Sequence, residues 1–387
     1  MRITFVLPTV NMSGGIRVAA IYAKALTERG HEVVLISPPP KPLHWKKRLR
    51  ALVQRRRSPR QAGAPASHLD GLGLDHRILA RWRPVDDGDA PDADLVIATW
   101  WETAEWVHAL APSKGRKVYF VQGHEVFPHL PVERCRATYR LPLHKIVIAA
   151  WLKEVMRSEY QDVNVDIVPN AVDRTQFHAE IRGRQPTPTI GFLYADVALK
   201  GVDVALAAIA KVRQRRPDIR LLCFGSSRPA QVSALPPGTE FHHAPAQDSI
   251  RNLYARCDVW LTASRSEGFN LPAMEAMACR TPVVSTRTGW PVEAIVTGTN
   301  GVLVDVDDVE ALAAGIEWVL SRSDVQWRQL SLNAYETVRS SSWAASADLF
   351  ERALMRIHQA PAACAEPSDR STAHAAAVLS PSSFGAR

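Results

Sequence analysis

The chain has 387 residues, 47 lysines and arginines against 39 acids, and a formal net charge of +8. Nine of those cations lie in residues 41–60 (KPLHWKKRLRALVQRRRSPR), which contain no acid, so the other 38 cations against 39 acids leave −1 for the rest. A near-neutral protein with one basic segment excludes a nucleic-acid-binding surface spread over the whole fold, and 46% hydrophobic residues exclude wholesale disorder.

The length predicts two domains of ordinary size. Five cysteines, at 135, 223, 257, 279 and 364, form no CxxC pair. That excludes a zinc ribbon or a thioredoxin-type motif, and with no secretory signal in the sequence a reduced, cytoplasmic chain is expected. The opening apolar run Ile3–Leu7 stops at Pro8, too short for a signal-peptide core. No stretch reaches ~18 apolar residues, so no transmembrane helix is expected and any membrane contact is peripheral.

The first forty residues read as strand, loop, helix, strand. Ile3–Pro8 is a continuous apolar run, as a buried parallel strand requires. After Asn11-Met12-Ser13-Gly14-Gly15, the residues Val18, Ile21, Tyr22, Ala25 and Leu26 form a helical stripe that Gly30 ends. Val33–Ile36 is the next strand, and this βαβ opening predicts a doubly wound parallel sheet. Further strands are expected at Leu95–Ala98, Val118–Val121, Ile146–Ala149 and Val165–Val168. Residues 58–92, rich in Pro, Gly, Ala and Asp, are expected to be a loosely structured insertion.

The alternation restarts near residue 189. Thr189–Leu193, Arg220–Phe224, Val259–Ala263, Pro282–Ser285 and Gly301–Val304 read as strands, with a helix marked by Val202, Leu206 and Ile209 stopping near Pro217. This is a second α/β domain, with the boundary between Asn170 and Pro188. Three helices are expected near 308–320, 326–340 and 343–359. Residues 361–387 hold eight Ala, five Ser and three Pro and read as a disordered tail.

The segment richest in candidate chemistry runs from Ser266 to Ala278 (SEGFNLPAMEAMA). It follows a strand, at the edge of an open sheet where ligands bind. Gly268 lets backbone approach a ligand closely. Pro272 suits the first helical position, which puts Glu275 in the first turn. Carboxylates accept hydrogen bonds from sugar hydroxyls, and a helix N-terminus attracts phosphate. Glu275 serving only the helix dipole, with Glu267 merely solvated, explains the spacing equally well.

Glu267 and Glu275 form an E-x7-E arrangement within SEGFNLPAMEAMA…TPVV. This resembles the signature of family 4 retaining glycosyltransferases with the GT-B fold, two Rossmann-like domains facing a cleft. The resemblance implies that Glu267 contacts the transferred sugar, that Glu275 contacts the nucleotide ribose, and that amides near Gly268, Phe269, Asn270 and Leu271 touch sugar or diphosphate. Lys200-Gly201 resembles the family's Lys-Gly, whose lysine binds the donor diphosphate. Gly14-Gly15 resembles the N-terminal glycine loop beside the phosphates. Val168–Asp173 (VPNAVD) resembles the domain junction, and Ser342-Trp343 the start of a last helix that crosses back. The resemblance covers residues 1 to 358 and implies an acceptor-side domain (1–175), a nucleotide-sugar domain (186–340) and a crossing helix (341–360).

Three positions depart from the family. An arginine usual after Gly191 is Phe192, so one phosphate cation is either missing or supplied elsewhere, with Arg265 the candidate. Glycines usual in the family are Arg280 and Trp290. In Val121–Glu125 the family's sugar-contacting histidine falls nearest Gln122 by register, with His124 two residues on; a structural loop histidine remains an equal reading. His124, Glu125 and His129 are one residue too long for HExxH, and Asp87-Gly88-Asp89 reads as a loop, so no metal and no cofactor are implied.

The resemblance implies transfer of a sugar from a nucleotide diphosphate sugar to an acceptor hydroxyl, on a glycan or lipid-linked glycan of surface polysaccharide assembly. Two other readings stand beside it: a nucleotide-sugar epimerase of the same fold, and a non-catalytic sugar-nucleotide or nucleic-acid binder. In the basic segment, Trp45, Leu49, Leu52 and Val53 fall at i, i+4, i+7 and i+8. A helix there would have a narrow apolar face surrounded by Lys and Arg, suited to anionic lipid; a solvated loop is the other reading. With the acceptor expected at the N-terminal domain, the segment is expected to dock on the inner membrane face and not on nucleic acid.

Overall fold

The computed structural model describes residues 1–42, 67–228 and 235–361. The basic segment beyond Pro42, and with it the expected membrane helix, lies outside the described residues, as does the tail after Pro361.

Two all-parallel sheets organise the chain. The first has seven strands: β1 (Arg2–Val6), β2 (Glu32–Ser37), β3 (Asp75–Ile78), β4 (Leu95–Ala98), β5 (Arg116–Val121), β6 (His144–Val147) and β7 (Val165–Ile167), in the order β3-β2-β1-β4-β5-β6-β7. The second has six: β8 (Thr189–Leu193), β9 (Arg220–Gly225), β10 (Thr239–His243), β11 (Val259–Thr262), β12 (Val283–Thr286) and β13 (Gly301–Val304), in the order β10-β9-β8-β11-β12-β13. In β1, β4 and β11 nearly every residue is buried, because helices cover both faces. The strand order reverses between β1 and β4 in one sheet and between β8 and β11 in the other. At those points the crossover helices part to opposite faces and leave a crevice at the carboxyl ends of the strands.

Two strands escaped the sequence reading. The stretch 58–92 was expected to be loose, yet Asp75–Ile78 pairs with Val34–Ser37. It is an edge strand with exposed side chains, so it carries no apolar signature. Thr239–His243 pairs with Leu221–Gly225 at the other sheet's edge and is likewise only half-buried.

The final helix, Trp343–Gln359, packs on the first domain. Phe350 stacks on Tyr22 at 4.5 Å between ring centres and meets Phe120 edge-on at 5.2 Å. Arg29, at the end of the helix Gly14–Glu28, is paired with Glu351 (2.6 Å) on this helix. Among the described residues no helix is long and apolar enough to cross a membrane.

Candidate active site

A cavity lies at the reversal point of the second sheet, lined by Phe192 and Leu193 at the end of β8, Thr262 to Ser264 at the end of β11, and Lys200, Glu267, Asn270 and Pro272. Lys200 closes a short turn (Ala198–Lys200), and Gly201 caps the helix Val202–Arg215 in a left-handed conformation (φ 59°). A side chain at Gly201 would overlap the carbonyl of Ala263, so only glycine lets this turn lie against the end of β11. Lys200 Nζ then donates to both oxygens of Glu267, at 2.7 and 2.8 Å. Ser264 Oγ donates to Glu267 Oε1 at 2.7 Å. The carboxylate is thereby oriented by a cation and a hydroxyl on the cavity wall.

Asn270 turns the chain into the helix Leu271–Ala278 with φ 78°, ψ 58°. Its Nδ2 donates to Thr262 Oγ1 (3.1 Å), which shares a hydrogen bond with Ser285 Oγ (2.7 Å). A short amide side chain bonding locally makes the left-handed conformation tolerable. Because Asn270 is the cap, Leu271 is the first helical residue and Glu275 lies one residue beyond the first turn, not within it. Glu275 is 5% exposed. Its Oε2 accepts from the Tyr254 hydroxyl (2.9 Å) and its Oε1 from Arg17 Nη1 (2.8 Å) of the first domain.

The first domain meets this site directly. Gly14 begins the helix after β1, at the other reversal point, and stands clear of neighbours. Gln122, just past β5, donates from Nε2 to the Gly15 carbonyl (3.2 Å). Its own carbonyl abuts Gly268 so closely that any side chain there would overlap it. Trp151 adds two bonds across the cleft, Nε1 to the Gly268 carbonyl (3.1 Å) and backbone N–H to Glu293 Oε1 (3.0 Å). Phe269, buried, stacks on Trp290 at 5.8 Å, so the residue standing where a glycine was expected braces the loop that carries Glu267.

Three expected site residues are engaged elsewhere. His124 bonds to the Tyr160 hydroxyl (2.7 Å), and burial lowers its pKa, which favours the neutral ring; the structural reading fits it. Arg265 is held by Asp203 (2.7 and 3.0 Å) and Asp307 (2.7 Å). Gly191 sits mid-strand against Cys257 and Trp260, which leave no room for a side chain there. Phe192 lines the cavity wall, itself 1% exposed.

Sequence reading missed Arg17, Trp151 and Glu125. Arg17 carried one signal, a cation in the first turn of a helix beside two glycines, where the dipole disfavours positive charge. Glu125 is fully buried among Trp101 N (3.0 Å) and the Tyr119 hydroxyl (3.5 Å), and burial pushes its carboxyl well above the ordinary value. The Tyr139 hydroxyl accepts from Glu125 N (2.8 Å) and donates to the Gly123 carbonyl (3.0 Å), pinning the loop that follows Gln122.

Two Rossmann-like parallel-sheet domains with a cavity at the reversal point, facing each other across a cleft, constitute the GT-B fold. Solved structures of that fold agree. Sucrose-phosphate synthase from Thermosynechococcus elongatus superposes with a TM-score of 0.71 at 17% identity, covering 92% of this chain and 98% of that one. Anabaena HepE, solved in complex with UDP and glucose, gives 0.69 at 16% identity, covering 92% and 99%. The family described as Glycosyl transferases group 1 matches residues 187–322, which hold the second sheet, Lys200, Glu267 and Glu275. A D-inositol 3-phosphate glycosyltransferase of Segniliparus rotundus is 31% identical over 206 residues, 48% of this chain and 45% of that protein. A GDP-mannose-dependent alpha-mannosyltransferase of Corynebacterium glutamicum is 30% identical over 158 residues, 40% and 37% of the two chains. The chain thus spans less than half the length of these curated relatives.

Proposed function

We propose that this protein is a glycosyltransferase that moves a sugar from a nucleotide diphosphate sugar to an acceptor hydroxyl in the cleft between its two sheets. The observation that carries the reading is the Lys200–Glu267 pair on the wall of the reversal-point cavity, inside the stretch that matches Glycosyl transferases group 1. Lysine supplies a point charge for the diphosphate and for the negative charge that develops on it as the glycosidic bond breaks. Glu267 accepts hydroxyl hydrogen bonds from the sugar, and Glu275, each of whose oxygens has a second lone pair, accepts from the ribose. Gln122 bounds the sugar from the first domain. The cleft contact between Gly268 and Gln122 excludes water and limits hydrolysis of the donor.

The finer reading is retention of anomeric configuration, transfer without a metal ion, and an acceptor that is a glycan or lipid-linked glycan brought to the first domain. Residues 41–60 supply the charge for an anionic membrane surface at the cytoplasmic face. The test is incubation with UDP-, GDP-, ADP- and dTDP-linked sugars, with and without candidate acceptors, following nucleoside diphosphate release and new glycosides. Transfer that E267A abolishes in a folded protein supports the function. Epimerisation of the donor alone, without transfer, identifies an epimerase instead; a fully active E267A would show that the site is misplaced.

A further inference from the structure

We infer that Arg17, in the first domain, is a donor-binding residue whose guanidinium bridges Glu275 and the diphosphate of the bound nucleotide. The inference rests on the function proposed above.

A diphosphate in this cleft needs cations, and the described residues offer few. Lys200 is one, 32% exposed at its side chain. Arg265 is spent on Asp203 and Asp307. Arg17 is a cation that the first domain presents to the helix Leu271–Ala278, whose cap Asn270 and second residue Pro272 line the cavity. Its side chain is 19% exposed, while Glu275 opposite is 7% exposed. The guanidinium lies 5.7 Å from the centre of the Phe177 ring, which fixes its plane.

Of five N–H donors, one is used among the described residues, Nη1 to Glu275. The others are not among the buried polar atoms that lack a partner, so they open to solvent. Arg17 also sits in the first turn of its helix, next to Gly14 and Gly15. There the free amides and the helix dipole already carry positive potential. A cation added at the positive end of a helix opposes the dipole unless an anion joins it. Glu275 is one anion; the fork geometry leaves the remaining edge of the guanidinium for a second, and paired N–H groups on one edge match phosphate oxygens. Since Glu275 is anchored by Tyr254, the arrangement ties nucleotide binding to the approach of the two domains.

The test is titration calorimetry of wild type, R17Q and R17K with UDP, GDP and ADP, taking the tightest against its parent nucleoside. For R17Q we expect about 10-fold weaker diphosphate binding, the loss of one charge-assisted contact, with a smaller loss for the nucleoside, which meets Glu275 but carries no phosphate for Arg17. R17K keeps the charge and the pair with Glu275 but loses the fork, and is expected to weaken diphosphate binding by about 3-fold. Should R17Q fail to fold by circular dichroism, R17K carries the comparison. Equal diphosphate affinity in wild type and the folded variants overturns the role of Arg17 while leaving the proposed function intact. Absence of any nucleoside diphosphate binding by wild type removes that function and this inference with it.

Discussion

Gly268 of the second domain lies against the backbone carbonyl of Gln122 in the first, with no room for a side chain between them. The residue beside Gly268 is Glu267, so the contact fixes where the first domain stands relative to the Lys200–Glu267 pair. Clashes against a side chain can be relieved by rotation; a carbonyl fixed at the end of a strand cannot move without the strand.

The substitution G268A is therefore expected to part the domains. Small-to-large changes at packed sites cost about 1–3 kcal/mol, and the inter-domain contact yields before either sheet does. Small-angle scattering should show a larger radius of gyration, and transfer activity should fall with little change in far-ultraviolet circular dichroism. Unchanged scattering with full activity would show that the close approach is not needed.

K200A removes the cation that holds both oxygens of Glu267. Loss of one preorganised charge at a developing oxyanion typically costs about 10²-fold or more in kcat. The expected phenotype is a fall in kcat of that order, read as the rate of nucleoside diphosphate release at saturating donor. E267Q keeps the size of the side chain and the hydrogen bond from Ser264 but loses the charge, and is expected to fold normally and to lose turnover. A K200A enzyme with normal kcat would place the leaving-group charge elsewhere.

Most of the fold is legible in the sequence because buried parallel strands are continuous apolar runs. Thr189–Leu193 and Gly301–Val304 match residue for residue. Asp75–Ile78 and Thr239–His243 are not legible, because an edge strand whose side chains are exposed or half-buried needs no continuous apolar run to pair with its neighbour. At the site, Glu267 and Lys200 are legible because their chemistry is local to one loop and one turn. Arg17 and Trp151 are not, because what gives them meaning is a partner more than 100 residues away across the cleft. For Arg265 the sequence displays the charge but not the two aspartates of its own domain, 62 and 42 residues away, that hold it.

The terminal helix should be as important to stability as any strand of the first sheet. Phe350 is fully buried between Tyr22, Phe120 and Phe5. F350A deletes an aromatic ring from that cluster and is expected to cost about 3–5 kcal/mol, measured by chemical denaturation. A loss below 1 kcal/mol would mean that the helix is dispensable to the first domain.

Glu125 gives a pH signature that can be isolated by one substitution. Burial raises its carboxyl above the ordinary value of 4.5 in the folded protein, so between that value and the folded one the native state holds more protons than the unfolded chain. The slope of unfolding free energy against pH follows the protons bound by the unfolded state minus those bound by the native. That difference is negative here, so Glu125 contributes stability that is fully present below pH 4.5 and lost as pH rises through its folded value. His68, His76 and His124 are shifted down from 6.5 and act in the opposite sense, adding stability as pH rises toward 6.5. The wild-type curve mixes these contributions, but the difference between wild type and E125Q does not. E125Q cannot ionise, so its stability relative to wild type should grow as pH climbs from 4.5, measured by urea denaturation at intervals of half a pH unit. Because Glu125 supports the loop bearing Gln122 through Trp101 and Tyr139, E125Q should also hold its activity to higher pH than wild type. Parallel stability curves for the two proteins across pH 5 to 9 would show that Glu125 does not titrate with folding.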